Sequence, residues 1–196
     1  MNLLHTTKKI SLLAFLLLLT FSCRTFRELK NLAQCDFTSA GIDNLRLAGI
    51  NLQEKTDISE VSVLDVASLL KSFSQKTLPL NFTFNININN PNDKLAALNY
   101  LEWIAEIDKV EIAKGVVNQR YEIPAGENIV MPLQISSDLY KIFSQKEGRE
   151  LIGKAIGIKD ENNQPKNLTL RVKPSISVGK GYIKYPGYIV VKKKIG

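Results

Sequence analysis

The sequence predicts a mainly β protein built on antiparallel sheet, with one or two helices packed against it. Three observations carry this expectation. From Leu80 to Asn89, the residues Phe82, Phe84, Ile86 and Ile88 alternate with Asn81, Thr83, Asn85, Asn87 and Asn89. A period of two sends the apolar groups to one sheet face and the amides to the other, as in a half-buried antiparallel strand. The same alternation recurs in residues 101–107, 129–135 and 168–172. Turn formers punctuate these stretches at Pro91-Asn92-Asp93, Pro124-Ala125-Gly126 and Pro186-Gly187, where proline fixes φ and the Asx side chains bond to nearby backbone.

The first residues read as an address. Lys8 and Lys9 precede an apolar run over residues 10–21 in which Ser11 and Thr20 are the polar members. A run of this length is short of the roughly 20 residues that a spanning helix needs. A basic start, a short apolar centre and the small Ser22 make a secretory signal over residues 1–22. Cys23 follows, and the segment resembles a bacterial lipoprotein signal in which that cysteine is acylated. It departs from the usual pattern in having Thr20 three places before the cysteine. Residues 23–36 are expected to form the anchor and a basic tether that ends in a helical turn, and residues 37–196 a single domain. Removing 22 of the 196 residues leaves 174, enough for one core. It also removes two lysines, lowering the formal charge from +7 to +5.

Residues 37–53 are read as a long strand with a bulge near Gly49, and residues 54–60 as a polar connection. Ser62 with Asp65 makes a capping box with Asp in place of Glu or Gln. Val66, Leu69, Leu70 and Phe73 then recur at helical spacing as one apolar stripe. The central alternating strand follows and stops at Asn90-Pro91, because proline brings no N–H to a ladder. Residues 96–107 are expected as its partner, with Leu101, Trp103, Ala105 and Ile107 on one face. Asp108-Lys109 turns a hairpin into Val110, Ile112 and Gly115. Residues 116–123 make another strand, and Pro132 confines the one after it to an edge or a bulge. Ser137 or Asp138 caps a second helix carrying Leu139, Ile142 and Phe143, resuming toward Leu151, Ile152 and Ala155. Residues 159–167 form a loop. The strand over 168–172 is ended by Pro174, and short strands bent about Gly181 and Gly187 finish the chain.

The strand ending Asn90-Pro91-Asn92, the Leu-x-x-Leu-x-Tyr piece from Leu95 to Tyr100, Ile107-Asp108-Lys109-Val110, Ala113-Lys114-Gly115 and Ile123-Pro124-Ala125 together resemble the late-embryogenesis-abundant type 2 family, also called the water-stress and hypersensitive-response domain. The resemblance spans about residues 76–136. It implies a fibronectin-like antiparallel β-sandwich of about seven strands with a packed helix. For function it implies protection under desiccation or other stress, or a membrane-anchored interaction domain, with neither enzymatic activity nor a cofactor.

The composition narrows the chemistry. The sole histidine, His5, lies in the segment expected to be removed, so the exported protein has no Ser-His or Cys-His pair and no imidazole for a metal. With Cys23 acylated, too few thiolates remain for a zinc or iron–sulfur site. Cys35 then packs as a small hydrophobe or pairs between chains. Ser68 and Lys71 spell the Ser-x-x-Lys of serine penicillin-recognising enzymes, but the companion motifs of that class are wrong in residue and order. Glu102, Glu106, Asp108 and Glu111 are read as solvated charge rather than an acid–base pair. Gly179-Lys180-Gly181 lacks the rest of a phosphate cradle. An asparagine face does not converge as a calcium cage does. The Asn81 and Asn167 sequons are read as incidental.

The expected protein is therefore non-catalytic, without cofactor or metal. It holds to a membrane through an acyl anchor on Cys23, binds or protects proteins or envelope components, and does not bind nucleic acid. The expected location is the bacterial envelope, on the outer membrane facing the periplasm. The candidate interaction surface is Asn85, Asn87 and Asn89 with Tyr182, Tyr185 and Tyr188. Lys192, Lys193 and Lys194 are read as a solvated chain end that could rest on anionic lipid. The alternative function is a carrier holding an acyl chain or other apolar ligand between the sheets.

Overall fold

The computed structural model describes residues 27–28, 30–53, 60, 62–143, 166–178 and 180–195. Its strands are β1 (Asp36–Leu47), β2 (Ile50–Asn51), β3 (Pro79–Asn89), β4 (Ala96–Leu98), β5 (Tyr100–Ile107), β6 (Val110–Val117), β7 (Tyr121–Ile123), β8 (Asn128–Asp138), β9 (Lys166–Val178), β10 (Gly181–Lys184) and β11 (Ile189–Ile195). The helices are α1 (Val63–Ser74) and α2 (Tyr140–Phe143). All strand pairs are antiparallel.

Two sheets form a β-sandwich. One runs β2-β1-β3-β8; in the other, β9 lies between β5 and the collinear β10 and β11, with β6 beyond β5. A ribbon of β4 with β7 closes the end where β3 finishes. Leu80, Phe82, Phe84, Ile86 and Ile88 of β3 are buried, joined from β8 by Met131, Leu133 and Ile135. They meet Leu101, Trp103 and Ala105 of β5 and Leu168, Leu170 and Val172 of β9 in one core. Each buried large apolar side chain contributes roughly 1.5–3 kcal/mol, and a slip by one residue would expose the whole row, so the β3 register is strongly held.

The α1 cap takes the expected form. Ser62 Oγ accepts from the Asp65 N–H at 3.1 Å, and Asp65 Oδ2 accepts from the Ser62 N–H at 2.8 Å. The apolar stripe is split, however. Leu69 and Phe73 pack against the core, while Val66 and Leu70 face outward with Val63 and Leu64. Asp108 and Lys109 both adopt left-handed φ in the β5–β6 hairpin. Pro132 lies on an edge strand with its ring exposed.

Other expectations need correction. Residues 96–107 do not pair with β3; they divide at Asn99 into β4 and β5, and β5 lies in the opposite sheet between β6 and β9. Gly49 is no bulge. Ala48 and Gly49, both at positive φ, turn a tight hairpin that folds β2 back on β1, and the bulges of β1 sit between Ser39 and Gly41 and between Asp43 and Arg46. The strand expected over residues 116–123 instead divides, residues 110–117 belonging to β6 and 121–123 to β7.

Pro174 does not end its strand. β9 runs through it, and the cost falls on the neighbour. The Pro174 carbonyl accepts from the Tyr185 N–H at 2.9 Å, so its missing donor faces the β10–β11 side. There, residues 185–188 bulge opposite Lys173 and Pro174. From residue 27 on, the expected tether belongs to the domain. Residues 30–32 form a helical turn, Leu32 is fully buried, and Asn31 Nδ2 donates to the Leu95 carbonyl at 2.9 Å. The signal over residues 1–22, Cys23 and the continuation of the second helix lie outside the described residues.

Candidate functional site

The six candidate interaction residues divide between outward faces of different sheets. Asn85, Asn87 and Asn89 lie on the outward face of β3, in the middle of the four-stranded sheet. Their neighbours tie them laterally. Asn85 Nδ2 donates to Asp43 Oδ2 at 2.5 Å, and Asn87 Nδ2 to Thr38 Oγ1 at 3.4 Å. Asn87 Oδ1 accepts from Asn128 Nδ2 at 3.0 Å, and Asn81 Oδ1 accepts from Ser136 Oγ at 2.7 Å. These bonds run across the strands and satisfy the amides in a grid, so the oxygens do not converge on one point as calcium demands.

Tyr182, Tyr185 and Tyr188 lie at the edge of the other sheet, on β10 and its bulge. The Tyr182 ring stands 4.9 Å from that of Tyr100, tilted by 32°, and its hydroxyl bonds with Asn118 Oδ1 at 3.4 Å. Tyr188 is covered on its face by the Arg171 guanidinium at 4.5 Å, with the Lys173 ammonium at 5.4 Å, a cation–π arrangement. Tyr185 is half-buried in the bulge.

The carboxylates form separate pairs. Glu106 binds Arg171 at 3.0 Å, and Glu111 binds Lys114 at 3.1 Å. Glu102 bonds to Lys184, whose pKa is raised first by that bond and then by the carboxylate's charge. Asp108 Oδ1 accepts from the Asn167 N–H at 3.1 Å and so ties the hairpin to the start of β9. An open cleft of about 400 Å³ lies there, lined by Glu106, Asp108, Lys109, Thr169, Arg171 and Lys192 among others. At the opposite end Arg120 bridges Glu28 at 3.3 Å and Glu122 at 2.8 Å. Burial opposes the Arg120 charge, but the two carboxylates outweigh it and raise its pKa. The pair pins the residue 27–32 segment to the β6–β7 link. Cys35 Sγ contacts the Asn31 carbonyl at 3.4 Å, and burial, helped by the Asp36 charge, pushes its pKa up to about 11.

No family model matches the chain, and no curated protein matches it. Solved structures give distant likenesses. One is an Archaeoglobus fulgidus protein at 12% identity and TM-score 0.38, covering 60% of this chain and 84% of that one. Another is an Arabidopsis thaliana protein at 13% and 0.43, covering 61% and 71%. A third, at 13% and 0.41 and covering 96% and 86%, is a provisionally assigned late embryogenesis abundant (LEA) protein. At such TM-scores these likenesses carry no argument about fold or function.

Charge distribution supplies what the sequence reading passed over. After Glu161 the chain has no further acid, while Lys166, Arg171, Lys173, Lys180, Lys184, Lys192, Lys193 and Lys194 follow. The fold gathers this stretch into β9, β10 and β11, beside the three tyrosines. The tail lysines are therefore part of a sheet edge rather than a loose chain end. The length of the acid-free stretch was the available signal.

Proposed function

We propose that the protein is a lipid-anchored, non-catalytic envelope protein whose LEA type 2-like sandwich binds or protects proteins or envelope components under stress. The observation that carries this reading is the sequence from Lys8 to Cys23, a basic start and short apolar run meeting a cysteine. The family motifs around Asn90-Pro91-Asn92 add the stress-related reading. The one-to-one pairing of Glu102, Glu106 and Glu111 with cations favours surface charge over an acid–base pair. The carrier alternative has less support, because Phe84, Ile86, Leu101 and Leu170 fill the space between the sheets at zero exposure.

The test is expression of the full chain in a bacterial host, followed by intact-mass measurement and detergent phase separation. An acyl adduct at Cys23 and entry into the detergent phase are expected, with Cys23→Ser shifting the protein toward the aqueous phase. A free thiol at Cys23 in the membrane-extracted protein refutes the anchor.

A further inference from the structure

We propose that the β9–β10–β11 edge is a contact surface for anionic lipid, laying this side of the sandwich against membrane phosphate groups. The inference rests in part on the anchored reading above and deepens it. Its first support is charge. Glu102 and Glu106 reach this face from β5, occupied by Lys184 and Arg171, and Asp108 borders it at the cleft, where Lys109 and Lys192 also stand. Among the described residues no carboxylate pairs with Lys173, Lys192 or Lys194, so the edge keeps a positive surplus that attracts anionic headgroups.

The second support is the exposed apolar surface interleaved with those lysines. Tyr182 is 46% exposed, Tyr188 38% and Val190 49%, all on the outward face of this edge. Amphipathic rings and aliphatic groups set among lysines suit the headgroup boundary, where the body of a side chain enters and its polar tip stays wet. The same residues argue against single-stranded nucleic acid. Bases need free aromatic faces on which to stack, but the Tyr188 face is covered by Arg171 and Lys173 and the Tyr182 ring packs on Tyr100.

The third support is position. Tyr182 bonds to Asn118 at the end of the sandwich where Arg120 holds Glu28. Cys23 lies four residues before Arg27, so an extended link reaches at most about 14 Å from that end. An acyl anchor there would deliver the tyrosine end of the edge to the bilayer. A chain anchor with a basic patch makes the two signals that stable attachment needs.

The test uses the full chain reconstituted in vesicles of phosphatidylcholine alone or with 30% phosphatidylglycerol. An environment-sensitive fluorophore is placed at Val190→Cys or, as control on the opposite sheet, at Val130→Cys, in a Cys35→Ala background. A blue shift at position 190 that requires phosphatidylglycerol and reverses in 0.5 M salt is expected, with position 130 unchanged. Joint Lys173→Gln, Lys192→Gln and Lys194→Gln should weaken the lipid-dependent change by roughly tenfold or more. Equal shifts at both positions, a shift indifferent to phosphatidylglycerol, or a response to a thymidine oligonucleotide in place of lipid would overturn the proposal. Intact mass of the same preparation reads Cys23 separately. An unacylated chain that still shows the phosphatidylglycerol-dependent shift refutes the anchor and retains the edge.

Discussion

Replacing Asn90 with alanine should cost at least about 3 kcal/mol, although Asn90 belongs to no strand and lies in a loop motif. Its side chain is fully buried. Nδ2 lies 2.9 Å from the Lys94 carbonyl, 2.9 Å from that of Ile123 and 3.0 Å from that of Pro124. Oδ1 accepts from the Asn92 N–H at 3.1 Å and from Asn92 Nδ2 at 2.6 Å. Asn92 in turn donates to the Asn31 carbonyl at 3.0 Å. One amide thus joins the end of β3, the end of β7 and the loop through which the chain crosses from one sheet to the other. Alanine keeps the backbone bond from Asn90 N to Glu127 O at 2.8 Å and removes the rest. Leaving the buried Ile123 carbonyl without its donor costs about 1–3 kcal/mol, and each partly exposed bond about 0.5–1.5 kcal/mol. The total is a large share of the roughly 5–15 kcal/mol that holds such a domain together. Urea denaturation followed by circular dichroism would read the loss as a lower midpoint at unchanged slope. A loss below about 1 kcal/mol would show that the crossing is held by apolar packing and not by this amide.

Three further outcomes follow from single contacts. A Cβ on Gly115 would lie 2.6 Å from Cζ2 of Trp103 on the paired strand, so Gly115→Ala should lose about 1–3 kcal/mol by the same denaturation measurement. Leu70 is 66% exposed on α1 while Leu69 faces the core; Leu70→Ser should change stability by less than about 0.5 kcal/mol, and Leu69→Ser should cost more than about 1 kcal/mol. The Cys35 pKa is raised from 9.0 to about 11, so its alkylation should be slow at pH 8 and climb until the pH passes about 11, a profile that iodoacetamide labelling with peptide mass spectrometry would read. Because the folded state holds this proton more tightly, its stabilisation is whole below pH 9 and fades as pH rises from there through about 11. An ordinary thiol profile centred near 9 would mean that the Asn31–Asp36 turn does not bury the sulfur.

What the chain disclosed beforehand was local, and what it withheld was pairing. The β3 alternation, the Ser62–Asp65 cap, the Asp108-Lys109 turn and the edge position of Pro132 each follow from geometry within a few residues, and the structure has all four. Periodicity says that residues 100–107 make a strand, but either sheet would bury Leu101, Trp103 and Ala105 equally well. Asn90 fastens the loop that leads away from β3, its amide bonding to carbonyls up to 34 residues away, a partnership invisible to any local window. Pro174 misled for a related reason. A proline ends a strand only where the neighbour facing its missing N–H cannot adapt, and here the bulge at residues 185–188 absorbs the loss on that side while β5 pairs undisturbed on the other. That bulge places Tyr188 against Arg171 and Lys173, two cations from β9. Read residue by residue, the lysines and tyrosines after Glu161 look dispersed, at spacings that suit neither a helix face nor one strand. Folding a single long strand against an interrupted partner collects them on one edge, because the interruption lets β10 and β11 both pair with β9 from the same side.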